Sequence, residues 1–241
     1  MSEHISRKDL KHDEVRDTLA KGADAVLSHQ SLAIYILIAA LAVGLAVFGF
    51  KTYTERQTIK AAALYDEAMK IFSARVLAPG EPAQPGETTF TDEKTKFTQA
   101  ADKFAALAKL YPRTRPGQLA EYYTGLSDER LGKTDDAKKW LQSLSDGSDY
   151  DLAAMARFEL AQVHDRAGQS DEAVKIYNDL ITKPSVLVPK PVVMLTLAEH
   201  YSAKNNAAEA SKLYTQIKSD YPDTPIATQA DQAMSQLPGK S

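Results

Sequence analysis

The stretch that decides the fold is GQSDEAVKIYNDLITKP, at residues 168–184. After a glycine, a serine and two acids, Ala173, Tyr177 and Leu180 stand at positions i, i+4 and i+7. That spacing places their side chains on one face of an α-helix. Pro184 follows, and a proline cannot continue a helix. The stretch therefore predicts a turn, an amphipathic helix and a stop.

The same helix pattern recurs along the chain at a nearly fixed interval. An alanine with a large residue at i+4 and an aliphatic residue at i+7 occurs three more times, at Ala100/Phe104/Leu107, Ala137/Leu141/Leu144 and Ala210/Tyr214/Ile217. Successive alanines are 37, 36 and 37 residues apart. A period in this range is typical of solenoids built from helical hairpins.

Turn residues follow the same period. Five residues before the alanine stand Gly132, Gly168 and Asn205, residue types that accept the left-handed conformation at the end of a helix. Thr134 and Ser170 stand three residues before it and are predicted N-caps, since acids follow them in the first turn. Each unit is therefore predicted to contain a helix A, a short turn and a capped helix B.

The predicted helices A share a pattern of their own. A small residue stands twelve residues before the alanine of helix B, at Gly125, Ala161 and Ala198. Three residues earlier the chain has a bulky residue, at Tyr122, Phe158 and Leu195. The small residue allows the two helices of a hairpin to pack closely. Prolines close units at Pro112, Pro184 and Pro222, because they cannot continue a helix.

These features resemble the tetratricopeptide repeat family over about residues 57–223. The resemblance implies an all-α fold, with an α-solenoid of about four helical hairpins. The family's tryptophan in helix A is not kept, and the unit over residues 137–149 lacks its closing proline. We expect residues 224–237, which begin with Thr-Pro, to form a helix that caps the open end of the solenoid.

The first hairpin departs most from this pattern. Its helix A is predicted over residues 57–77 and its helix B over residues 93–110. The segment between them, residues 78–93, is rich in proline and glycine and is expected to be a flexible insertion. It is either a tolerated surface loop or a partner-binding loop.

One segment is predicted to cross a membrane. Residues 32–50, LAIYILIAALAVGLAVFGF, carry no charge, and as a helix they extend roughly 28 Å, close to the thickness of a bilayer's hydrocarbon core. A cleaved signal peptide fits poorly, because about thirty residues precede the apolar run and no Ala-x-Ala-like site stands directly after Phe50. We therefore predict a transmembrane helix over residues 31–51.

The flanks of this helix leave its orientation open. Arg16 and Lys21 precede the span, and Lys51, Arg56 and Lys60 follow it, so the positive-inside rule gives no decision. Residues 1–30 form a predicted amphipathic tail, with an apolar stripe at helical spacing. The tail is either an interfacial helix or a docking element.

The composition and the motifs argue against several functional classes. The net charge is −3 with dispersed Lys and Arg, which gives no electrostatic footprint for nucleic acid. The chain has no cysteine, and its five histidines show no metal-ligand spacing. There is no phosphate-binding glycine loop and no G-x-S-x-G motif. We therefore expect no enzyme activity, cofactor, metal or small-molecule substrate, and we expect protein partners.

The family resemblance also implies where a partner would bind, namely the concave surface formed by the helices A. The corresponding positions are Leu119, Tyr122, Leu126, Glu129 and Arg130; Met155, Phe158, Gln162, Asp165 and Arg166; and Val192, Leu195 and Glu199. Family members that clamp a terminal carboxylate place Lys and Asn at several of these positions, and this chain does not. An apolar, aromatic groove with a polar rim is expected, suited to extended polypeptide. Each residue either lines that groove or packs between hairpins.

The whole organisation resembles the bacterial YfgM-type family, including the stretch HDEVRDTLAKGADAVLSHQSLAIYILIAALAVG at residues 12–44. That resemblance implies a single-pass inner-membrane protein with a cytoplasmic N-terminus and periplasmic repeats. The implied partners are Sec translocon components, periplasmic chaperones and exported polypeptides. Two alternatives stay open. One is a periplasmic scaffold for envelope or outer-membrane assembly or for cell division, and the other is a cytoplasmic-facing adaptor of a membrane complex.

Overall fold

The computed structural model describes residues 30–238, so the predicted amphipathic tail lies outside the described residues apart from Gln30. Over the described range the chain is almost entirely helical. The helices are α1 (Gln30–Phe72), α2 (Glu93–Leu110), α3 (Arg115–Arg130), α4 (Thr134–Ser145), α5 (Tyr150–Arg166), α6 (Ser170–Thr182), α7 (Lys190–Ala203), α8 (Ala207–Asp220) and α9 (Pro225–Ser235). The all-α prediction is confirmed.

The chain divides into two compact units, one up to Arg56 and one from Gln57 onward. Within the first unit, α1 exposes its large apolar side chains, such as Leu37 and Phe48, which are both 70% exposed. Among the described helices, α1 alone is long and apolar enough to cross a membrane, and none of its apolar window is buried. By length and composition this segment is a membrane anchor or a signal sequence.

The second unit consists of four helical hairpins and a final helix. Residues 57–72 of α1 pair with α2, and the pairs α3/α4, α5/α6 and α7/α8 follow. Each helix also packs against the next one along the chain. In addition, α3 contacts α5, the first helix of the following hairpin. This is the predicted solenoid of four hairpins with a terminal helix.

Three of the hairpins turn in the same way. Gly132, Gly168 and Asn205 have φ values of 74°, 77° and 59°, in the left-handed region that closes a helix. The amide after each of them donates back across the turn, as Lys133 N does to Asp128 O at 2.8 Å. This is the Schellman arrangement, which satisfies carbonyls at the helix end, and it confirms the predicted turns.

The predicted N-caps Thr134 and Ser170 are wrong by one residue. Lys133 and Gln169 occupy the cap positions, and neither side chain caps its helix. The reason is geometric, because in so short a turn the residue after the left-handed glycine both closes helix A and opens helix B. In the fourth hairpin that position is Asn206, whose side chain does accept from Glu209 N at 3.4 Å.

The interior repeats with the sequence period. The four alanines of the helix B pattern are all 0% exposed, as are the large residues Phe104, Leu141 and Tyr177 that follow three of them. At the small position of helix A, a Cβ on Gly125 would lie 2.9 Å from Leu141 Cγ. The hairpin can close this tightly only because that position carries no side chain.

The first hairpin differs from its predicted form. Its helix A ends at Phe72 rather than residue 77, and the chain then forms a short strand, β1 (Arg75–Val76). This strand pairs in parallel with β2 (Thr89–Phe90). Arg75 also makes ion pairs with Glu81 at 2.5 Å and Glu87 at 3.3 Å. The strand pair therefore joins the two ends of the insertion, and the ion pairs of Arg75 connect to its middle. The proline and glycine content did not predict these contacts.

The same cap follows the first and the fourth hairpins. Thr114 and Thr224 accept from Gly117 N at 3.1 Å and Ala227 N at 3.3 Å, so each threonine starts the helix that follows a Tyr-Pro stop. After α9, Leu237 is 5% exposed and packs into the terminal core cluster. The final helix thus covers the apolar face of the fourth hairpin.

The buried leucine of α4 gives a test of the repeat core. We expect Leu141→Ala to lower the free energy of unfolding by about 2–5 kcal/mol, because it removes a side chain that is 0% exposed and leaves a cavity. The measurement is urea denaturation of the full chain in detergent. Trp140, the single tryptophan, is half-buried next to the substitution and provides the fluorescence signal.

The matched control is Leu110→Ala, since Leu110 is 64% exposed. Its effect should stay within about 0.5 kcal/mol of the wild type. Equal effects of the two substitutions would contradict the assigned core.

Candidate functional site

The helices A of successive hairpins are joined side by side through polar side chains. Between α3 and α5, Arg166 Nε lies 2.9 Å from Glu129 Oε1, and the Tyr122 hydroxyl donates to Glu159 Oε1 at 3.4 Å. Between α5 and α7, His200 Nδ1 lies 2.8 Å from Asp165 Oδ1. The predicted concave surface is therefore a row of charged and polar contacts.

Most of the apolar residues predicted for the groove pack between hairpins instead. Tyr122 is only 6% exposed and belongs to a core cluster with Leu141 and Leu152. Three predicted groove residues are half-buried against that cluster, namely Leu119, Leu126 and Met155. Of the two alternatives left open by the sequence, packing between hairpins describes Tyr122, whereas Leu119, Leu126 and Met155 remain partly exposed.

The remaining apolar candidates are also mostly covered. Phe158 packs edge-on against Tyr177, with ring centroids 6.1 Å apart. Leu195 is half-buried against the terminal core cluster, whereas Val192 is 37% exposed. The sequence pattern did not distinguish covered from exposed apolar residues of helix A. Each helix A contacts both its own helix B and the next hairpin, so two of its faces are apolar.

The polar candidates lie nearer to solvent. Arg130, Arg166 and Glu199 are exposed, and Gln162 and Asp165 are half-buried. Gln162, Asp165, Arg166 and Glu199 come together in one cavity of about 250 Å³ between α5 and α7, to which α7 adds Thr196 and His200, and α6 adds Tyr177. We refer to this cavity as the α5–α7 pocket.

Glu159 is a functional candidate that the sequence pattern did not indicate. It lies beside Phe158 on α5, and burial raises the pKa of its carboxyl above the ordinary value of 4.5. Nearby Arg166 and the Tyr122 hydroxyl favour its charged form and partly oppose this effect. The sequence does offer one indication of this site. Position 159 holds a glutamate, whereas the equivalent positions of the neighbouring units hold Tyr123 and Thr196.

The tyrosines of this region stay protonated. Burial raises the pKa of Tyr122 and of Tyr177, and the nearby carboxylates of Glu159 and Asp165 raise them further. Both phenols are therefore hydrogen-bond donors at physiological pH. Within residues 30–238, no group of three or more His, Cys, Asp or Glu side chains could hold a metal ion. The arrangement can bind and orient a partner through hydrogen bonds and charge.

A model of the tetratricopeptide repeat-like domain family matches residues 28–183, about two thirds of the chain. The chain belongs to the tetratricopeptide repeat-like domain family. The match includes the apolar part of α1 together with three hairpins, and the fourth hairpin of this tetratricopeptide protein continues the same architecture beyond it. A search among curated proteins finds no match.

Solved structures with tetratricopeptide-like repeats share this fold. One is a crystal structure of the nearly identical TPR-like repeats of a protein described as a kinesin light chain from Podosopora anserina. It has a TM-score of 0.54 and 12% identity, and the alignment covers 74% of this chain and 85% of that one. A single-residue variant of the same protein has a TM-score of 0.55 at 12% identity, covering 74% and 84%. At such low identity the likeness shows the fold alone.

The half-buried Glu159 gives a prediction about pH. Because the pKa of Glu159 is raised in the folded chain, its contribution to stability is fully present below about pH 4.5 and is lost as the pH rises through the folded value. At pH 7 this side chain therefore contributes less to stability than it does below pH 4.5. We expect Glu159→Gln to have a higher melting temperature than the wild type at pH 7, and the difference should disappear below pH 4.5.

The control for this experiment is Glu172→Gln, which changes an exposed glutamate of α6. Thermal unfolding of both variants and the wild type, followed by circular dichroism from pH 4 to pH 8, makes the comparison. A stabilisation by Glu159→Gln that is independent of pH would contradict the assigned cause.

Proposed function

We propose that this protein is a membrane-anchored, protein-binding scaffold that works as an ancillary, chaperone-like subunit of the Sec translocon on exported proteins in the periplasm. The observation that carries the proposal is the extent of the family match. One family model runs from residue 28 to residue 183 and so includes both the apolar helix and the repeats. The family model therefore includes both the apolar segment and the repeats.

Three observations support an uncleaved anchor over a signal sequence. The family match includes the apolar segment, whereas a signal peptide is removed from the mature protein. No Ala-x-Ala-like site stands directly after Phe50, and Ala61–Ala63, the first such sequence downstream, is separated from it by ten residues. The helix also continues without interruption from Gln30 to Phe72, and a continuous apolar helix suits a bilayer because it satisfies its own backbone hydrogen bonds.

The helices A support a binding role. Their exposed side chains form a row of carboxylates, guanidinium groups and amides on a rigid framework of packed hairpins. Tetratricopeptide solenoids present such surfaces to protein partners. The polar surface suits an extended polypeptide, whose backbone and side chains offer many hydrogen bonds.

The organisation of the chain resembles that of the YfgM-type family and supports the proposed orientation, with a cytoplasmic N-terminus and periplasmic repeats. The absence of cysteine makes this orientation testable, because each introduced cysteine is then the only one. We expect Ser235→Cys to react with a membrane-impermeant maleimide in intact spheroplasts. Ser2→Cys should react only after the membrane is opened.

The opposite labelling pattern would contradict the periplasmic reading and would favour a cytoplasmic adaptor. Labelling of neither site in spheroplasts, with both labelled after lysis, would also place the repeats in the cytoplasm. The wild-type chain, which should take up no label, is the control for other reactions of the reagent.

A second experiment tests the translocon proposal itself. We expect a photo-crosslinking amino acid at Gln162, in the α5–α7 pocket, to capture an exported polypeptide arrested during translocation or a named translocon subunit. The matched control is Asp179, which is exposed on α6 and does not line that pocket. Immunoblotting for the arrested substrate and for each translocon subunit identifies the adducts.

Equal capture from Gln162 and Asp179 would contradict a binding role for the helices A. Capture of an outer-membrane assembly or cell-division component, with no translocon adduct, would replace the translocon proposal by the periplasmic scaffold.

A further inference from the structure

The α5–α7 pocket carries more negative charge than its own cation balances. Its two carboxylates are Asp165 and Glu199, and its one cation among the described lining residues is Arg166. The Arg166 guanidinium is already engaged, because its Nε lies 2.9 Å from Glu129 Oε1, outside the pocket lining. The pocket is therefore net acidic.

Glu199 has no counter-charge within residues 30–238. Its carboxylate makes no ion pair and accepts no hydrogen bond from any described residue. Although Glu199 is exposed, the packing around its carboxyl partly desolvates it and raises its pKa, and no cation compensates for this. A ligand that brings a positive charge would remove that cost.

His200 gives an independent indication that the pocket accepts a ligand. Its side chain is 3% exposed and lines the pocket, and its Nδ1 is buried without a hydrogen-bond partner. Nδ1 lies 2.8 Å from Asp165 Oδ1, but this contact does not have the geometry of a hydrogen bond. Buried polar atoms in native proteins nearly always have a partner, and an exception calls for a physical reason.

A ligand cation supplies that reason. The Asp165 carboxylate has two oxygens, and its side chain is 30% exposed toward solvent. If Asp165 rotates so that one oxygen accepts from His200 Nδ1, its other oxygen is left for a cation in the pocket. Binding of the cation would therefore fix Asp165 in the orientation that satisfies His200.

We propose that the α5–α7 pocket binds a single basic side chain, a lysine ammonium or an arginine guanidinium, of an extended polypeptide lying along the helices A. This proposal rests on the proposed function and names the residue class that the groove selects. Asp165 and Glu199 pair with the charge from opposite helices, and Gln162, whose amide makes no hydrogen bond to a described residue, lies beside them to accept another N–H.

The size of the pocket fits one side chain. Its volume of about 250 Å³ is below the range of pockets that hold whole small-molecule ligands. Its carboxylates come from two different helices, which suits a donor that enters between them. A carboxylate clamp binds an acidic group through basic residues, whereas this pocket would bind a basic group through acidic residues.

The test measures binding of labelled peptides to the full chain in detergent by fluorescence anisotropy. The probes are ten-residue unstructured peptides that are identical except for a central lysine, arginine, glutamine or glutamate. We expect the lysine and arginine peptides to bind about tenfold more tightly than the glutamine peptide, the effect of one charge-assisted interaction. The glutamate peptide should bind weakest, and added salt should reduce the preference.

Variants of the pocket sharpen the result. Glu199→Gln and Asp165→Asn should each remove most of the preference for the basic peptides, and Glu199→Lys should prefer the glutamate peptide. The matched control is Glu172→Gln, which removes one exposed carboxylate from α6 and should keep the wild-type preference. Circular dichroism of each variant checks that the helices are retained.

The outcomes separate this proposal from the proposed function. Binding of all four peptides with equal affinity would overturn the basic-residue pocket and leave the peptide-binding scaffold standing. Binding of none of them by the wild type would count against both. A preference for basic peptides that persists in Glu199→Gln and Asp165→Asn would overturn the assignment to this pocket.

Discussion

The close approach of two helices within each hairpin is the constraint on which the rest of the structure depends. In the second hairpin, Gly125 of α3 lies against Leu141 of α4 so tightly that a Cβ there would come within 2.9 Å of it. The equivalent alanines, Ala161 and Ala198, are 0% exposed. In these three hairpins helix B is buried against a small residue of helix A, so the small residues recur with the period of the solenoid. The curved row of helices A follows from that repetition.

This constraint also explains what could be predicted. The helix B pattern and the left-handed turns are local, since each depends on a few residues at fixed spacing, and both were found correctly at Ala173, Gly132 and Asn205. The N-caps were displaced by one residue because two caps share one short turn. The strand pair of the insertion joins residues that are fourteen apart in sequence, Arg75 and Thr89, and no periodic pattern reports such a pairing.

The candidate site was harder to predict than the fold, for a physical reason. Apolar residues of helix A serve both its own hairpin and the next one, so Tyr122 was equally compatible with a groove and with the interior, where it lies. The polar positions Gln162 and Glu199 have only one favourable environment, the solvent-facing surface, and they do lie along the pocket. Residues that become buried across the hairpin interface, such as Glu159 and His200, depend on neighbours from another repeat.

Those buried polar groups suggest how a stable scaffold retains a binding surface. The partial desolvation of the Glu159 carboxyl and the unsatisfied His200 Nδ1 both oppose folding, and the regular apolar core of the repeats offsets them. The family match ends at residue 183, before α7 supplies Thr196, Glu199 and His200. Half of the pocket therefore comes from the hairpin outside the matched region. Because a solenoid's hairpins contact mainly their neighbours, substitutions on α7 can change what the pocket selects while leaving the earlier repeats unchanged. The proposed ligand preference then depends both on Asp165, inside the matched region, and on Glu199 of the fourth hairpin, beyond it.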